Sequence, residues 1–330
     1  MLVSSQTQVR QHNGVQSAGI RLRCPQCFSA IGYLQDEDAT PLDCLICGSR
    51  LACEQGIWKA LLPEAAARYA GFIRNYESIR AAEGRGSATA GYYLALPYRD
   101  LSGIHTSQWA LRARTFRYIE QKILPRIATL AQNKVRILDL GAGNGWMSYR
   151  LRSKGHAPVA VDLLANDQDG LSAARHYKQR LNSLFPRFQA EVDNLPFASG
   201  QFDVVIFNSS FHYSENYEKT LAEALRCARK DGMVLIADTP WYRDEQSGIK
   251  MLEERRAAFI KHYGFPSDAL KSLEFLTDQR LVDLGHRFHI QWETHEPYYG
   301  IRWHMRPLLA KLRGRRTPSR FRIYAAKVPK

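Results

Sequence analysis

Two residue patterns in this chain carry chemistry. The first is a set of four cysteines in two Cys-x-x-Cys pairs, Cys24-Pro-Gln-Cys27 and Cys44-Leu-Ile-Cys47-Gly48, separated by the sixteen residues from Phe28 to Asp43. Each pair forms a tight knuckle that aims two sulfurs at one ion, and the spacing is that of a tetrahedral four-thiolate zinc ribbon. Four protein ligands leave no position for substrate or water, so the expected zinc is structural rather than catalytic. A redox Cys-x-x-Cys would need a thioredoxin-like surrounding, which the flanking residues do not supply. Cys53 and Cys227 fall outside the pairs and are expected as small buried hydrophobes.

The second pattern is a glycine-rich loop. The apolar stretch Val135-Arg-Ile-Leu-Asp-Leu140 runs directly into Gly141, Gly143 and Gly145, with Ala142 and Asn144 between them. Without Cβ atoms these positions accept positive φ and let the backbone approach a ligand, while the following helix offers free N–H groups. A dinucleotide fingerprint would require Gly-x-Gly-x-x-Gly, but counting from Gly141 the last position is Trp146. Asp139, just before the loop, would repel a pyrophosphate and suits a ligand with a cationic amino-acid end.

From Asp139 to Gly145 the chain resembles the class I S-adenosylmethionine (SAM)-dependent methyltransferases, of the type 11-like group, whose first motif is an acidic residue followed by x-Gly-x-Gly-x-Gly. The resemblance implies that the loop backbone lies against the methionine part of SAM. It implies that Asp162, ending the next strand beside Leu163, takes both ribose hydroxyls, two oxygens accepting from two vicinal donors. Glu191-Val-Asp-Asn-Leu-Pro-Phe197 and Gly200-Gln-Phe-Asp-Val-Val205 look like the family's adenine-binding turn and fourth strand. By that alignment Glu191 accepts the adenine amino group and the Val192 backbone meets the ring, with Asp193 as the alternative to Glu191. Asn208, ending the fourth strand, completes the cofactor candidates. A cysteine ribbon ahead of a SAM domain is also similar to the layout of bacterial rRNA guanine-N1 methyltransferases, although the long segment from Pro63 to Gln132 departs from it.

In sheets of this kind ligands lie beyond the carboxyl ends of the strands. Acceptor chemistry is therefore expected near Asn208-Ser-Ser-Phe-His-Tyr213 and Asp238-Thr-Pro-Trp-Tyr242. His212 is the leading candidate for a general base, because imidazole titrates near neutrality. Its other reading is a histidine that only packs near the cofactor, since an activated sulfonium needs little beyond alignment. Tyr213, Asp238 and Tyr242 are further catalytic candidates, and Trp241 is a candidate pocket wall. Tyr298, Tyr299 and Trp303, interleaved with Arg302 and Arg306, read either as a stacking surface for a planar, anionic group or as a small core with a basic rim.

Positioning these residues takes an α/β fold: a Rossmann-like, seven-stranded, mostly parallel sheet with helices on both faces, preceded by the small zinc ribbon. Strands are predicted at 136–140, 158–162, 188–192, 202–208 and 233–238, with two more at 287–294 and 320–328. Helices are predicted over 63–82, 109–131, 145–154, 171–184, 216–229, 247–263 and 278–284, with Ser107 as a candidate cap and Ala67, Ala70 and Ile73 as an apolar stripe. The domain reading is a disordered tail over 1–20, a ribbon over 21–63, a helical linker and substrate-capping region over 64–132, and a SAM-binding domain over 133–330. Lid insertions are expected at about 239–277 and 295–319, and the glycine-rich stretch 84–91 is read as the boundary between ribbon and catalytic domain.

Lys and Arg exceed Asp and Glu by 46 to 32. From Pro297 to Lys330 there are ten basic residues and no acid, a segment suited to nucleic acid, a phosphorylated metabolite, an anionic membrane surface or plain solvation. No apolar run reaches the length of a membrane span and the N-terminus lacks an apolar signal core, so the expected location is cytoplasmic. The leading functional expectation is methylation of a small or medium acceptor, anionic or aromatic, by direct displacement. An RNA base methyltransferase gripping phosphate through the ribbon and basic tail is the second reading, and a non-catalytic SAM-binding scaffold the third. The oligomeric state is left open.

Overall fold

The computed structural model describes residues 19–34, 40–128, 134–264, 266 and 269–329. The expected tail over 1–20 therefore lies outside the described residues except at its end, where Ile20 already opens a strand. Strands β1 (Ile20–Arg23) and β2 (Ala30–Leu34) form a hairpin around the first cysteine pair, and β3 (Leu42–Asp43), β4 (Arg50–Glu54) and β5 (Ile57–Lys59) follow around and after the second. Helix α1 (Pro63–Ala82) starts on a proline, whose missing N–H has no partner to lose at that position. After α2 (Ala90–Ala95), α3 (Thr106–Tyr118) runs through a π-helical turn at Ile119–Ile123 into α4 (Leu124–Ala128). The α/β unit then alternates β6 (Arg136–Leu140), α5 (Trp146–Ser153), β7 (Ala157–Asp162), β8 (Arg187–Gln189), β9 (Phe202–Asn208), α6 (Tyr217–Cys227) and β10 (Ala228–Ala237). It closes with α7 (Glu245–Tyr263), α8 (Asp278–Phe288), β11 (Trp292–His295), α9 (Ile301–Leu312) and β12 (Ile323–Lys327).

The expected seven strands are present in the order β11-β12-β10-β9-β6-β7-β8, but the sheet has ten. Strand β5 pairs in parallel with β8, Trp58 opposite Phe188, and β4 and β3 continue antiparallel. The ribbon is therefore not set apart from the catalytic unit by the 84–91 stretch; its last strands are the edge of the same sheet. The physical reason is an otherwise bare β8 edge, whose backbone groups need partners. Trp58 adds a buried ring stacked on Phe188 at 6.2 Å. The central strands are covered on both faces, which is why they read as continuous apolar runs. One face packs Leu138, Val205 and Ile236 under α6 and α8, and the other packs Ile137, Ile206 and Leu235 under α3 and α5.

Some expected elements differ. The helix over 171–184 is a 3-10 helix ending at Gln179. The strand over 188–192 stops at Gln189, because Glu191 and Asn194 close a tight turn. Helix α8 continues to Phe288 and ends on left-handed His289, so the strand expected from 287 begins at Trp292. Ser107 does not cap α3; His105 takes that place. The inward face of α1 is Ala65, Tyr69 and Ile79 rather than the alanine stripe, with Ala67 exposed. No helix among the described residues is long and apolar enough to cross a membrane.

Candidate functional site

The glycine loop is shaped by what surrounds it. Gly141 has φ of +73° and a Cβ there would meet the Ser210 Cβ at 2.2 Å, while a Cβ on Gly145, at φ of +74°, would meet the Phe185 ring at 2.9 Å. Only glycine fits either place. The loop therefore lies flat between β6 and α5, with Trp146 opening the helix and Asn144 Oδ1 accepting from its N–H at 3.2 Å. Gly141, Ala142, Gly143, Asn144 and Trp146 line a cavity at the carboxyl ends of the strands. Asp139 and Gly145 do not line it. Asp139 is buried beneath the loop, where its carboxylate accepts from Ser148 Oγ at 2.7 Å and burial pushes its pKa up to about 7. The expected contact between Asp139 and a ligand is replaced by a brace between β6 and α5.

Asp162, at the end of β7, does line the cavity beside Leu163. Its Oδ2 accepts from the Gly143 N–H at 2.7 Å and its Oδ1 from the Leu164 N–H at 2.8 Å, so the carboxylate pins the loop and keeps further lone pairs for a ligand. Burial raises its pKa to about 6, against the lowering effect of those N–H groups. The turn after β8 separates its two acids. Glu191 is drawn away from the cavity into an ion pair with Arg68 of α1, whereas Val192 and Asp193 line it. Asp193 Oδ2 pairs with Lys219 at 2.9 Å, and Oδ1 is buried without a partner. Asn208 also lines the cavity, with its Oδ1 buried and unpartnered.

The residues of the roof lie in the expected capping region 64–132 but are not named by it. Tyr69, Phe72, Tyr76 and Arg80 of α1 and Trp109 and Arg112 of α3 complete the cavity wall. A signal existed: steps of three and four residues from Tyr69 to Arg80 place one aromatic stripe on a helix face. Arg80 pairs with Asp169, whose other oxygen accepts from Asn144 Nδ2 at 3.3 Å. Arg112 lies over the Trp109 ring at 4.8 Å and donates to Ser209 Oγ at 3.3 Å.

A second chamber adjoins the first, and Phe72, Tyr76, Arg80, Arg112, Ser209 and Tyr213 line both. His212 and Asp238 line the chamber, backed by an Arg255 to Glu274 ion pair at 2.6 Å. Segment 273–276, from the first insertion, fixes His212: the Glu274 N–H donates to the His212 carbonyl at 2.8 Å. The imidazole is buried, which drives its pKa down to about 4 and keeps it neutral, with Nδ1 unpartnered. Burial moves Asp238 the other way, up to about 6. Its Oδ1 accepts from Thr115 Oγ1 at 2.6 Å, and its Oδ2 has no partner. Tyr242 lines neither cavity; its ring is buried further out, where its hydroxyl accepts from Arg316 at 3.2 Å. Trp241 also lies outside both cavities, held by Arg322 over its ring at 3.6 Å.

At the far edge of the sheet, Cys24, Cys27, Cys44 and Cys47 bring four sulfurs within 4.8 Å of one another. The two knuckles have the same construction: Cys24 and Cys44 each donate an N–H to a serine carbonyl at 2.8 Å and accept one four residues on at 2.9 Å. Sulfurs at about 2.3 Å from a tetrahedral zinc would stand about 3.8 Å apart. The closest pairs here, Cys24 with Cys47 and Cys27 with Cys44, are 3.5 Å apart. The donor set fits such an ion.

A family described as a methyltransferase domain matches residues 138–236. Malonyl-[acyl-carrier protein] O-methyltransferase of Geobacter sulfurreducens is 31% identical over 125 residues, 36% of this chain and 45% of that protein. Sarcosine/dimethylglycine N-methyltransferase of Halorhodospira halochloris is 28% identical over 113 residues, 34% of this chain and 40% of that one. The chain spans less than half the length of these curated relatives. A solved 1,6-didemethyltoxoflavin-N1-methyltransferase of Burkholderia thailandensis superposes with a TM-score of 0.46 and 16% identity, covering 88% of this chain and 100% of that one. Residues 138–236 thus match a methyltransferase domain, set in a sheet that the cysteine ribbon extends.

Proposed function

We propose that the chain transfers a methyl group from SAM to a small or medium acceptor enclosed in the chamber. The observation that carries this reading is the pair of adjoining cavities whose linings share Arg112, Ser209 and Tyr213. Bound SAM supplies an activated sulfonium methyl for direct displacement. Asp162 accepts the ribose hydroxyls, Asp193, with its free Oδ1, takes the adenine amino group in place of Glu191, and Gly141 to Asn144 face the methionine part. Arg112 has no carboxylate partner among the described residues and is the cation available to a ligand carboxylate.

Asp238 takes the acceptor's proton through Oδ2. A carboxyl poised near 6 is closer to neutral pH than an imidazole held near 4, so Asp238 displaces His212 as the base, and His212 becomes part of the chamber wall. Tyr213 lines both cavities, and Tyr242 has no place in the reaction. Helices α1 and α3, within the 64–132 region, cap the site, and the insertion over 239–277 backs the chamber. The four cysteines hold a structural zinc.

The test is to incubate the protein with methyl-labelled SAM and separate extracts of small molecules and of RNA. Label is expected in a small molecule heavier by one methylene, with Asp238→Asn lowering kcat about 100-fold while product inhibition by S-adenosylhomocysteine stays unchanged. Label confined to RNA, or no transfer at all, would overturn the reading.

A further inference from the structure

Among the described residues, helix α9 leaves an apolar face unpartnered. None of its residues is buried, and Ile301, Met305, Leu308, Leu309 and Leu312 are 73, 41, 50, 42 and 76% exposed. At roughly 100° per residue these five occupy about 100° of the helix circumference. Trp303 lies on the opposite side, stacked on Phe321 at 5.2 Å, so the helix is attached through its aromatic side and turns its leucines outward. Arg302, Arg306 and Arg313 border one edge of the stripe and Lys311 the other.

The surroundings fix the charge of the partner. Beside the stripe, Lys250, Arg306, Arg313, Arg315 and Arg316 line a basin whose one lining carboxylate, Glu254, is already paired with Arg316 at 2.6 Å. A small cavity lined by His212, Arg255, Arg306 and Arg316 adjoins the basin on one side and the chamber on the other. A nucleic acid would satisfy the arginines but has no use for five exposed aliphatic side chains. An anionic bilayer satisfies both, because such a helix buries its stripe at the acyl boundary while lysine and arginine meet lipid phosphates.

We propose that α9 is an interfacial helix that seats the protein on an anionic lipid surface. The inference goes beyond methyl transfer and does not depend on it. In this pose the basin faces the headgroups.

The test is co-sedimentation of the full chain with vesicles of phosphatidylcholine alone or mixed with phosphatidylglycerol. The mixed vesicles are expected to bind it roughly tenfold or more tightly, with affinity falling as salt rises. Leu308→Glu with Leu312→Glu should cut binding about tenfold at an unchanged melting temperature, and Arg313→Gln with Arg315→Gln severalfold. Equal binding to both vesicles, or no effect of the leucine substitutions, overturns the proposal. So does a dimer in solution that Leu308→Glu converts to monomer while vesicles stay unbound, or RNA retained through the same arginines without vesicle binding.

Discussion

Asp162 holds the glycine loop and faces the cavity proposed for the cofactor with the same carboxylate, so its ionisation bears on both. Its pKa near 6 is raised by burial, and a ligand that donates hydroxyl hydrogens favours the charged form. Cofactor affinity should therefore be constant above pH 7 and fall as pH drops through 6, and calorimetry with S-adenosylhomocysteine from pH 5 to 8 reads this directly. An Asp162→Asn variant should bind weakly with a flat profile. Buried Asp139 gives a stability counterpart. A carboxyl whose folded pKa lies above its unfolded value stabilises the fold most below the unfolded pKa, and that contribution is lost as pH rises through about 7. Asp139→Asn should flatten this decline in denaturant titrations of the ligand-free protein. Gly141→Ala should cost about 1–3 kcal/mol, from positive φ and the Ser210 contact. At this scale the glycines are legible because their spacing marks a strand-to-helix loop, and Asp162 is singled out only by the family resemblance that the loop opens. The orientations of Glu191 and Asp139 are not legible, since they depend on Arg68 and Ser148, which are distant from the motif or carry no sign of their role.

The ribbon is tied to the turn after β8, which the proposed function places beside the adenine, by several bonds. Arg23 donates its N–H to the Pro196 carbonyl at 3.1 Å and its guanidinium to Glu223 at 2.5 Å, and Asn194 Nδ2 donates to the Pro25 carbonyl at 3.1 Å. Pro25 lies inside the first cysteine knuckle, so the proposed zinc would hold the turn that carries Val192 and Asp193. Chelation, or Cys44→Ser, should lower the melting temperature and also weaken S-adenosylhomocysteine binding several-fold; full cofactor affinity in metal-free protein would separate ribbon from site. Trp58→Ala should cost about 3–5 kcal/mol, read by denaturant unfolding, because it removes the ring packed between ribbon and sheet. Cysteine spacing announced the ribbon. Its pairing with β8 was invisible because β5 is only three residues long, and edge pairing follows tertiary approach rather than local pattern.

Over the whole molecule, the seven strands and the largely parallel sheet are legible because apolar runs alternate with amphipathic segments, whereas the order of the strands is not written in that alternation. Nor is helix α9 legible. It buries nothing, so its leucines among arginines resemble neither a core helix nor a loop. The cavities could not be read from sequence either, since they arise where α1 and α3, from one part of the chain, close over the strand ends of another. Central to the proposed function is that SAM is held through Asp162. Calorimetric titration of SAM and S-adenosylhomocysteine into the purified chain and its Asp162→Ala variant tests it most directly. One site per chain is expected, weakened about 100-fold in the variant by the loss of two charge-assisted hydrogen bonds. No binding to the parent chain, or equal affinity in both proteins, would contradict it.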